Sequence, residues 1–312
     1  MALSEDGTHR TADGRGVLII GCGFTGCYLA QRLAFRGEPV FGTTRSDERS
    51  LVIASRGAEP ILMDGTDCSP IDRLRGRIYG VVISLPPEMA RDGSYEDATA
   101  GLLSRLESWN LESLVYISST SVYGDQGGAT VTEHTQCHPD SPRGAARRAI
   151  EEQVLTSGLP AMVVRPSGIY GPGRSQLHRA ARGHHRLVGG GVSITNRIHV
   201  DDLSQIIDRA LLVGTPGATY LATDSSPSSQ REVSDFMGSL GLPGPQEIPL
   251  EEARVRLDKN VLAMIMGSKR LDGAWTREEL AVTLRYPDYR SGLDAIWKRE
   301  SPELKALITD RS

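Results

Sequence analysis

The chain has 312 residues, a formal net charge of −4 at pH 7 and a sequence pI near 6.0. This length suits one large α/β domain or a domain with a smaller lobe, and the charge argues against a dedicated nucleic-acid binder. No apolar run approaches the ~20 residues that span a bilayer, and the polar N-terminus lacks the hydrophobic stretch of a secretory signal. The four cysteines show neither CxxC nor zinc-ligand spacing, so we expect no disulfide framework and no metal. These features indicate a soluble, cytoplasmic globular protein.

Lysine is rare in this chain. Four of the 35 basic residues are lysines, and the other 31 (35 − 4) are arginines. The lysines are Lys259, Lys269, Lys298 and Lys305. A genomic codon bias is the simplest explanation. It follows that residues 1–258 hold no side-chain amine that can act as a base or form a Schiff base.

The predicted elements alternate between strand and helix. Residues 1–15 have no periodic apolar face, which predicts a disordered tail. Short apolar runs predict strands at 17–20, 39–43, 60–63, 81–84, 114–117 and 161–165. Apolar spacing predicts helices at 24–36, 94–109 and 142–157, then near 175–182, 202–213, 230–240 and 288–299, with one more strand at 219–222. The alternation indicates an α/β fold with a Rossmann-like, doubly wound parallel sheet.

Two parts of the chain differ in regularity. Residues 16–170 carry the alternation of strand and helix, whereas residues 171–312 carry a more interrupted pattern. We expect the first part to form the sheet domain and the second a smaller lobe that binds substrate. Residues from about 196 to 222 are expected to return to the core of the sheet domain.

A glycine-rich turn follows the first strand directly. Its letters GCGFTG, residues 21–26, match GxGxxG, and the turn opens the first helix. Gly21 allows a tight turn, Gly23 lets the backbone approach a pyrophosphate, and Gly26 permits close packing of helix on strand. The helix N-terminus, with Phe24 and Thr25, stabilises negative charge. We therefore predict an NAD(P) site at this turn.

The end of the second strand predicts which dinucleotide binds. NAD sites usually place Asp or Glu there, to bond the ribose 2′-hydroxyl. This chain has Thr44, Arg45 and Ser46, and no acid before Asp47. Arg45 can clamp a 2′-phosphate through its planar fork, and Thr44 can add a hydroxyl. This favours NADP(H) over NAD(H); the alternative is that Arg45 is a solvated loop residue.

Two further residues are expected at the cofactor. Asp64, after the third strand, is placed to meet the adenine edge, although an aspartate before Gly65 also forms turns. Ser84 ends the fourth predicted strand, at the same edge of the sheet as the glycine turn. Both side chains are therefore predicted cofactor contacts.

Three segments beyond the glycine turn carry a family resemblance. Their letters are VYISSTSVYG at 115–124, RPSGIYGPG at 165–173 and NRIHVDDL at 196–203. Together with the glycine turn, they resemble the extended short-chain dehydrogenase/reductases, the nucleotide-sugar epimerase and dehydratase group, over roughly residues 17–213. The resemblance implies the Rossmann-like fold, an NAD(P) cofactor and a homodimer formed through the helices near 94–109 and 142–157.

The resemblance also implies roles at the end of the fifth strand. In the family, a Ser or Thr here bonds the oxygen that is oxidised or reduced, and its counterpart is Ser119. The resemblance implies that Thr120 and Ser121 occupy the two positions at which sugar-nucleotide dehydratases share an Asp-Glu pair. This difference disfavours 4,6-dehydratase activity. We place Thr120 at the substrate. Alternatively, Ser118 and Ser119 cap the strand end.

The next helix departs from the family pattern. The resemblance implies Tyr-x-x-x-Lys, with the tyrosine as general acid/base and the lysine holding the nicotinamide ribose and lowering the tyrosine pKa. The letters PRGAAR at 142–147 place Arg143 and Arg147 there, and none of the nine tyrosines has a lysine four residues later. Arg147 can still bond the ribose. Arg143 stays protonated, so it can bind an anion or stabilise an oxyanion but cannot shuttle a proton.

Another residue must therefore supply the acid/base. Tyr123, four residues after Ser119, is the first candidate, with ring packing beneath the cofactor loop as the alternative. Tyr170, His134 and His199 are further candidates, although loop histidines are more often structural.

The stretch from residue 171 to residue 197 contains no acid. The resemblance implies that it lies over the substrate, so Arg174 and Arg197, with His199 just beyond, are expected to contact an anionic or phosphorylated small molecule. Solvated surface charge is the alternative. His184 and His185 are adjacent in this stretch, and because it holds no carboxylate they are poor metal ligands.

Three hypotheses of function remain open at this point. The first is an NADP(H)-dependent oxidoreductase that moves a hydride between its cofactor and a carbonyl or alcohol of a small, anionic substrate. The second is a redox-neutral nucleotide-sugar epimerase, which the missing tyrosine weakens. The third is a protein that senses NADP(H) for a partner and has lost catalysis.

Overall fold

The computed structural model describes residues 14–64, 67–89, 95–96 and 99–309. Residues 1–13 of the predicted tail lie outside the described residues. So do residues 94, 97 and 98 of the helix predicted at 94–109.

Seven parallel strands form a central sheet. They are β1 (Gly16–Ile20), β2 (Val40–Thr44), β3 (Glu59–Leu62), β4 (Ile78–Ile83), β5 (Ser113–Ile117), β6 (Ala161–Pro166) and β7 (Thr219–Ala222). Their order is β7-β6-β5-β4-β1-β2-β3, and all neighbours are parallel. The chain changes direction across the sheet between β1 and β4, and open α/β sheets bind ligands at such a switch point. The predicted doubly wound fold is confirmed.

Helices cover both faces of the sheet and build the lobe. They are α1 (Phe24–Phe35), α2 (Asp47–Ser55), α3 (Thr99–Leu106), α4 (Pro142–Thr156), α5 (Gln176–Ala181), α6 (Val200–Val213), α7 (Gln230–Ser239), α8 (Leu250–Arg256), α9 (Lys259–Met266), α10 (Ala274–Glu279) and α11 (Tyr289–Thr309). Short 3-10 helices span Ser69–Leu74, Glu107–Trp109, Thr120–Tyr123 and Gly189–Gly191. Short strands outside the central sheet span Glu88–Met89, Tyr95–Glu96, Thr130–Val131, Gly168–Tyr170, Arg186–Val188, Ile194–Thr195, Arg197–His199, Ser228–Ser229, Gln246–Ile248 and Arg270–Leu271.

The sheet has an apolar core on each face. Alternate residues of a strand face opposite sides, so Val17 and Ile19 pack in the core beneath α1 and α6, while Leu18 and Ile20 pack in the core beneath α3 and α4. Because both faces are covered, β1 is buried along its whole length and appears in the sequence as an uninterrupted apolar run.

The lobe has a separate core. Side chains of α5, α7 and α11 meet there, among them Leu177, Met237 and Leu293. Helix α11 runs to Thr309, beyond the end predicted at 299, because Leu304 is buried in the same core. Residues 196–222 contact the sheet domain: α6 packs on α1, and β7 pairs with β6.

Candidate functional site

The glycine turn joins β1 to α1. Gly21 has a φ of +79°, and its N–H donates to Thr43 Oγ1 at 2.9 Å. The Cys22 N–H donates to the Thr43 carbonyl oxygen at 2.9 Å, which ties the turn to β2. A Cβ on Gly21 would lie 2.9 Å from Leu85 Cδ2 and 3.1 Å from the Ser84 carbonyl oxygen. Only glycine suits this position, since it needs both the positive φ and the space.

The other two glycines of the turn face different surroundings. A Cβ on Gly23 would meet one backbone oxygen, at 3.9 Å, so the side of the turn above it is open. A Cβ on Gly26 would lie 3.1 Å from Ile19 Cγ2, where helix packs on strand. No side chain caps α1, and the N–H groups of its first turn, including Phe24 and Thr25, have no carbonyl partner within the helix. An open backbone at a helix N-terminus fits a dinucleotide diphosphate.

Arg45 follows β2 and carries a side chain that is 70% exposed. Its Nη1 donates to Oε1 of Glu88 at 3.0 Å. A surface ion pair of this kind contributes about 0–1 kcal/mol, so a phosphate can displace Glu88 at little cost. Thr44 Oγ1 accepts the Ser46 N–H at 3.3 Å, and Ser46 Oγ accepts the Arg49 N–H at 3.4 Å to cap α2. Thr44 and Ser46 thus shape the turn from which Arg45 extends.

Asp64 and Ser84 lie at the same edge of the sheet. Asp64 is exposed, and its Oδ1 accepts the Asp67 N–H at 2.9 Å. The Asp64 carboxylate thus accepts a backbone N–H, and its contact with the adenine edge stays a prediction. Ser84 is half-buried, and its N–H donates to the Ile20 carbonyl oxygen at 2.8 Å. This bond holds Ser84 beside the glycine turn.

Ser119 follows β5 and caps the 3-10 helix Thr120–Tyr123. Its Oγ accepts the Ser121 N–H at 3.2 Å, so its own O–H remains able to donate. Ser119 and Thr120 are half-buried. The preceding Ser118 is 3% exposed, and its hydroxyl has no hydrogen-bond partner among the described residues. Ser121 is half-buried as well, so Ser118 is the buried hydroxyl of this segment and the three that follow it are partly exposed.

The two arginines of α4 differ in their contacts. Arg147 Nη1 donates to the Ile117 carbonyl oxygen at 2.9 Å and to the Tyr116 hydroxyl at 3.4 Å. Arg143 is exposed, one helical turn earlier. Residues four apart lie on one face of a helix, so both guanidinium groups belong to the side of α4 that meets the end of β5. Burial lowers the pKa of Arg147.

The structure gives Tyr123 a role other than the predicted proton donor. Its side chain is 0% exposed, and its hydroxyl oxygen accepts from Arg165 Nη1 at 2.9 Å. Burial raises the pKa of Tyr123 to about 12, against the lowering effect of Arg165. Arg165 also donates to both carboxylate oxygens of Glu151, at 2.9 and 2.7 Å. This buried triad joins β6, α4 and the turn after β5, and it keeps Tyr123 away from any substrate.

The basic stretch begins beside the glycine turn. The Arg174 guanidinium lies over the Phe24 ring, 5.2 Å from its centroid. A Cβ on Gly171 would lie 3.3 Å from Phe24 Cζ, so the loop before α5 covers the start of α1 closely. Arg174 is exposed, and its charge stands near the N-terminus of α1. The predicted substrate ligand is thus placed next to the predicted diphosphate site.

Arg197 and His199 are buried, at 5% and 1% exposure. Arg197 donates to Ser228 Oγ at 2.9 Å and to Thr195 Oγ1 at 2.6 Å. His199 Nδ1 accepts the Asp201 N–H at 3.2 Å and caps α6. Burial lowers the pKa of His199 to about 4, so the ring is neutral. Both side chains hold the segment that returns to the sheet, in place of the predicted contact with substrate.

The remaining acid/base candidates also make structural contacts. The His134 ring lies 5.3 Å from the Trp275 ring at the surface. Tyr170 is 2% exposed, and a Cβ on Gly292 would clash with its hydroxyl, so it packs directly on α11. Burial raises the pKa of Tyr170, which does not suit proton transfer near neutral pH.

The fold and this site match known proteins. The profile of the NAD dependent epimerase/dehydratase family matches residues 17–221. The chain belongs to this family. Protein YeeZ of Escherichia coli K12 is 26% identical to it in an alignment of 281 positions that covers 87% of this chain and 96% of YeeZ.

Two further similarities are to a reductase and to a solved structure. The 4-hydroxy-2-methyl-3-oxo-4-farnesyl-3,4-dihydroquinoline-1-oxide ketoreductase of Stigmatella aurantiaca is 28% identical over 233 residues, 68% of each chain. A functionally unknown conserved protein from Silicibacter pomeroyi DSS superposes with a TM-score of 0.81 at 31% identity, covering 91% of this chain and 99% of that one. The matching family is described as NAD dependent, and the glycine turn lies within the matched residues.

Within this family fold, sequence reasoning missed the buried triad and Asp224. Arg165 left a signal, since it is a charged residue in a strand that is otherwise apolar; its partner Glu151 left none, because nothing local shows which helix covers β6. Asp224 is 1% exposed, and its Oδ2 has no hydrogen-bond partner among the described residues. Burial raises the pKa of Asp224 to about 7, although Arg197 lowers it.

The structure also describes the cysteines, the possible metal ligands and the long helices of the chain. The four cysteines are free. In the described part of the chain, no three histidine, cysteine, aspartate or glutamate side chains converge on a possible metal position. Among the same residues, no helix has both the length and the apolar character needed to cross a membrane.

Proposed function

We propose that this protein is an NADP(H)-dependent oxidoreductase that transfers a hydride between bound NADP(H) and a carbonyl or alcohol of a small, anionic substrate. The observation that carries the cofactor choice is the end of β2. Arg45 extends there with its charge exposed, and the sequence places no Asp or Glu between Thr44 and Asp47, where NAD sites usually carry the acid that bonds the ribose 2′-hydroxyl. Arg45 forms only a surface ion pair with Glu88, which a 2′-phosphate can replace.

The chain's own groups fit the rest of the dinucleotide. Gly23 and the uncapped start of α1 would hold the diphosphate, with Arg174 beside them. The Nη1 group of Arg147 donates a hydrogen bond to the Ile117 carbonyl oxygen. Its other N–H groups have no protein partner in the described part of the chain, so they would bond the nicotinamide ribose hydroxyls.

Ser119 is the residue that would hold the reacting oxygen. When bound, NADPH supplies the hydride. The Ser119 hydroxyl, whose oxygen already accepts the Ser121 N–H, donates to the substrate oxygen as negative charge grows there. Arg143 adds positive charge from the first turn of α4.

The proton would come from water. Tyr123 is buried against Arg165, and guanidinium groups do not release protons in the working pH range. Ser119 would pass its own proton to the substrate oxygen and regain one from solvent. A ketoreductase among the relatives supports a reduction.

Titrations of NADPH and of NADH into the purified chain test this proposal. We expect tighter binding of NADPH. Arg45→Ala should weaken NADPH binding about 10- to 100-fold and leave NADH unchanged, since a hydrogen bond to a charged group contributes about 1.5–3 kcal/mol. Glu88→Ala is the matched control, because it breaks the same ion pair and keeps the cation. Equal affinity for both nucleotides would contradict the cofactor choice, and no binding below millimolar would remove the enzymatic proposal altogether.

Turnover separates this proposal from the two alternatives. An oxidoreductase consumes one NADPH for each carbonyl that it reduces. An epimerase-like enzyme would retain its nucleotide through purification and show no net loss of NADPH. A sensor would bind NADPH without turnover and change its affinity for a protein partner.

A further inference from the structure

Residues 266–272, which we call the strap, connect two distant parts of the chain. On one side, the Gln126 and Gly128 N–H groups donate to the Ser268 carbonyl oxygen at 3.2 and 2.9 Å. The Arg270 N–H donates to the Ala129 carbonyl oxygen at 2.9 Å. These bonds hold the strap against the loop that follows β5.

On its other side the strap is held by the segment before α6. Asn196 Nδ2 donates to the Lys269 carbonyl oxygen at 2.8 Å, and Asn196 Oδ1 accepts the Leu271 N–H at 2.8 Å. The Ile194 N–H donates to Ser268 Oγ at 3.1 Å. The main chain at Lys269 is therefore fixed from both sides.

The side chain of Lys269 reaches the sheet domain. Its Nζ donates to the Gly124 carbonyl oxygen at 2.6 Å. The residue is half-buried, and this burial lowers the pKa of the ammonium group, although Asp140 and Asp125 raise it. An ammonium group has three N–H donors. One is used by Gly124, and the other two have no hydrogen-bond partner among the described residues.

The neighbouring acids are already engaged. Asp140 Oδ2 accepts the Asp125 N–H at 2.8 Å. Asp125 Oδ1 accepts the Ser268 N–H at 2.8 Å and the Gly127 N–H at 3.1 Å. These bonds direct both carboxylates to backbone groups, and no ion pair within 4.0 Å joins either of them to Lys269 in the described part of the chain.

Gly124 fixes where the ammonium stands relative to Ser119. Ser119 begins and Gly124 ends the 3-10 helix Thr120–Tyr123. A 3-10 helix rises about 2 Å per residue, so the two ends are roughly 10 Å apart. Helix α4 begins beside this turn, because a Cβ on Gly144 would lie 2.9 Å from the Ser121 carbonyl oxygen. The ammonium of Lys269 thus lies at the far end of the turn that carries the reacting oxygen's ligand.

Two other lysines are occupied elsewhere. Lys298 pairs with Asp294 at 2.7 Å along α11, and the Lys305 amine lies 5.6 Å from the Trp297 ring centroid. Of the lysine side chains that the structure describes, Lys269 is the one that contacts the turn after β5.

We propose that Lys269 binds an oxyanion, a carboxylate or a phosphate, that the substrate carries about 8–10 Å from its reacting carbonyl. This inference rests on the proposed function and narrows the substrate to a carbonyl compound with a remote anionic group. The two unused N–H donors of Lys269 bind the anion, while Ser119 bonds the carbonyl oxygen. Short 2-oxo acids cannot span the two groups.

A chain-length series tests the inference by NADPH oxidation. The substrates are 2-oxopropanoate, 4-oxopentanoate, 6-oxoheptanoate and 8-oxononanoate, with methyl 8-oxononanoate as the neutral analogue and 7-oxooctyl phosphate to distinguish the two anions. We expect KM to fall as the chain lengthens. Lys269→Met should raise KM for the long anions about 10- to 100-fold, to the level of the methyl ester, with little change in kcat. Lys269→Arg, which keeps the charge, should recover most of the binding. Lys298→Met is the matched control and should behave as wild type.

The kinetic outcomes separate this inference from the function on which it rests. If Lys269 only supports the turn at Gly124, Lys269→Met will lower kcat for long, short and neutral substrates alike, which overturns the inference and leaves the oxidoreductase standing. A wild-type chain that oxidises NADPH with none of these carbonyls overturns both.

A second readout does not need turnover. Labelling with [13Cε]lysine gives four NMR signals, one for each lysine, and Lys269→Arg identifies the signal of Lys269. Titrating 8-oxononanoate into the chain without cofactor should shift that signal saturably and leave the Lys298 signal in place. An unmoved Lys269 signal at concentrations well above KM would contradict the inference.

Discussion

The two ends of the site are built from different materials. At the ends of β1 and β2, backbone conformation shapes the candidate site: Gly21 supplies a positive φ, Gly23 an open face, and α1 an uncapped N-terminus. At the ends of β5, β6 and β7, buried charged side chains shape it, among them Glu151, Arg165 and Asp224. The first kind of site depends on local conformation. The second depends on which distant side chains meet.

The difference also appears in hydrogen bonding. Several buried polar atoms have no partner among the described residues, and those near the ends of β5 to β7 are Ser118 Oγ, Ser167 Oγ, Tyr170 OH, Arg197 Nε and Asp224 Oδ2. An unsatisfied buried polar group costs about 1–3 kcal/mol. In the part of the chain that the structure describes, no such atom lies in the glycine turn.

Removal of a charge from the buried triad should produce the largest effect and sharpen this contrast. Glu151→Gln leaves Arg165 buried without a counter-charge, so we expect a loss of about 3–5 kcal/mol in the free energy of unfolding. Urea denaturation measures it. Glu152→Gln, on the exposed side of α4 and paired with Arg148 at 2.9 Å, should cost less than about 1 kcal/mol. Equal losses of unfolding free energy in the two variants would show that Glu151 stabilises the fold no more than a residue of a surface ion pair does.

The pH dependence of stability tests Asp224. Burial raises its pKa to about 7, so the folded chain holds this proton more tightly than the unfolded chain does. The stability from this group is complete below the unfolded pKa of about 3.9 and is lost as pH rises through 7, up to about 4 kcal/mol. Asp224→Asn should remove this trend.

The measurement for Asp224 is the difference in unfolding free energy between wild type and Asp224→Asn from pH 4 to pH 8. His199 acts in the opposite sense, because its pKa is lowered to about 4, but it is common to both chains and cancels. Asp272→Asn is the control. Asp272 is exposed and accepts the Ala274 N–H at 3.0 Å, so its difference should stay flat. A flat difference for Asp224→Asn as well would refute the raised pKa.

Two glycine variants should give the smallest change in stability. They test the role of backbone conformation in the glycine turn. Gly21→Ala puts a side chain at positive φ and 2.9 Å from Leu85 Cδ2, so we expect a loss of about 1–3 kcal/mol. The added Cβ of Gly23→Ala would approach no atom of the described residues closer than 3.9 Å. This variant should keep wild-type stability and lose NADPH binding, as measured by thermal unfolding and nucleotide titration. The reverse pattern would contradict the assignment of the open face to the diphosphate.

Much of the fold, including the glycine turn, could be predicted from the sequence. The apolar run of β1, the glycines that follow it and the helical spacing of α1 are local signals, and the structure places all three as predicted. The contacts at the ends of β5 to β7 could not be predicted in the same way. Tyr123 and Arg197 look accessible in their motifs, yet both are buried by partners that are remote in sequence, Arg165 and Ser228.

Lys269 shows most clearly what tertiary structure adds. In the sequence it is one of four scattered lysines, and nothing near it suggests a site. The strap carries it to Gly124, 145 residues away along the chain.

The sequence by itself determined the sheet and the glycine turn, because backbone preference and apolar spacing act over a few residues, and it contains no Tyr-x-x-x-Lys pattern. Only the tertiary structure decided that Tyr123 is buried, that Arg165 pairs with Glu151 and that the Lys269 amine reaches the turn after β5. Those outcomes depend on packing between distant segments, and a pattern of neighbouring letters does not contain that information.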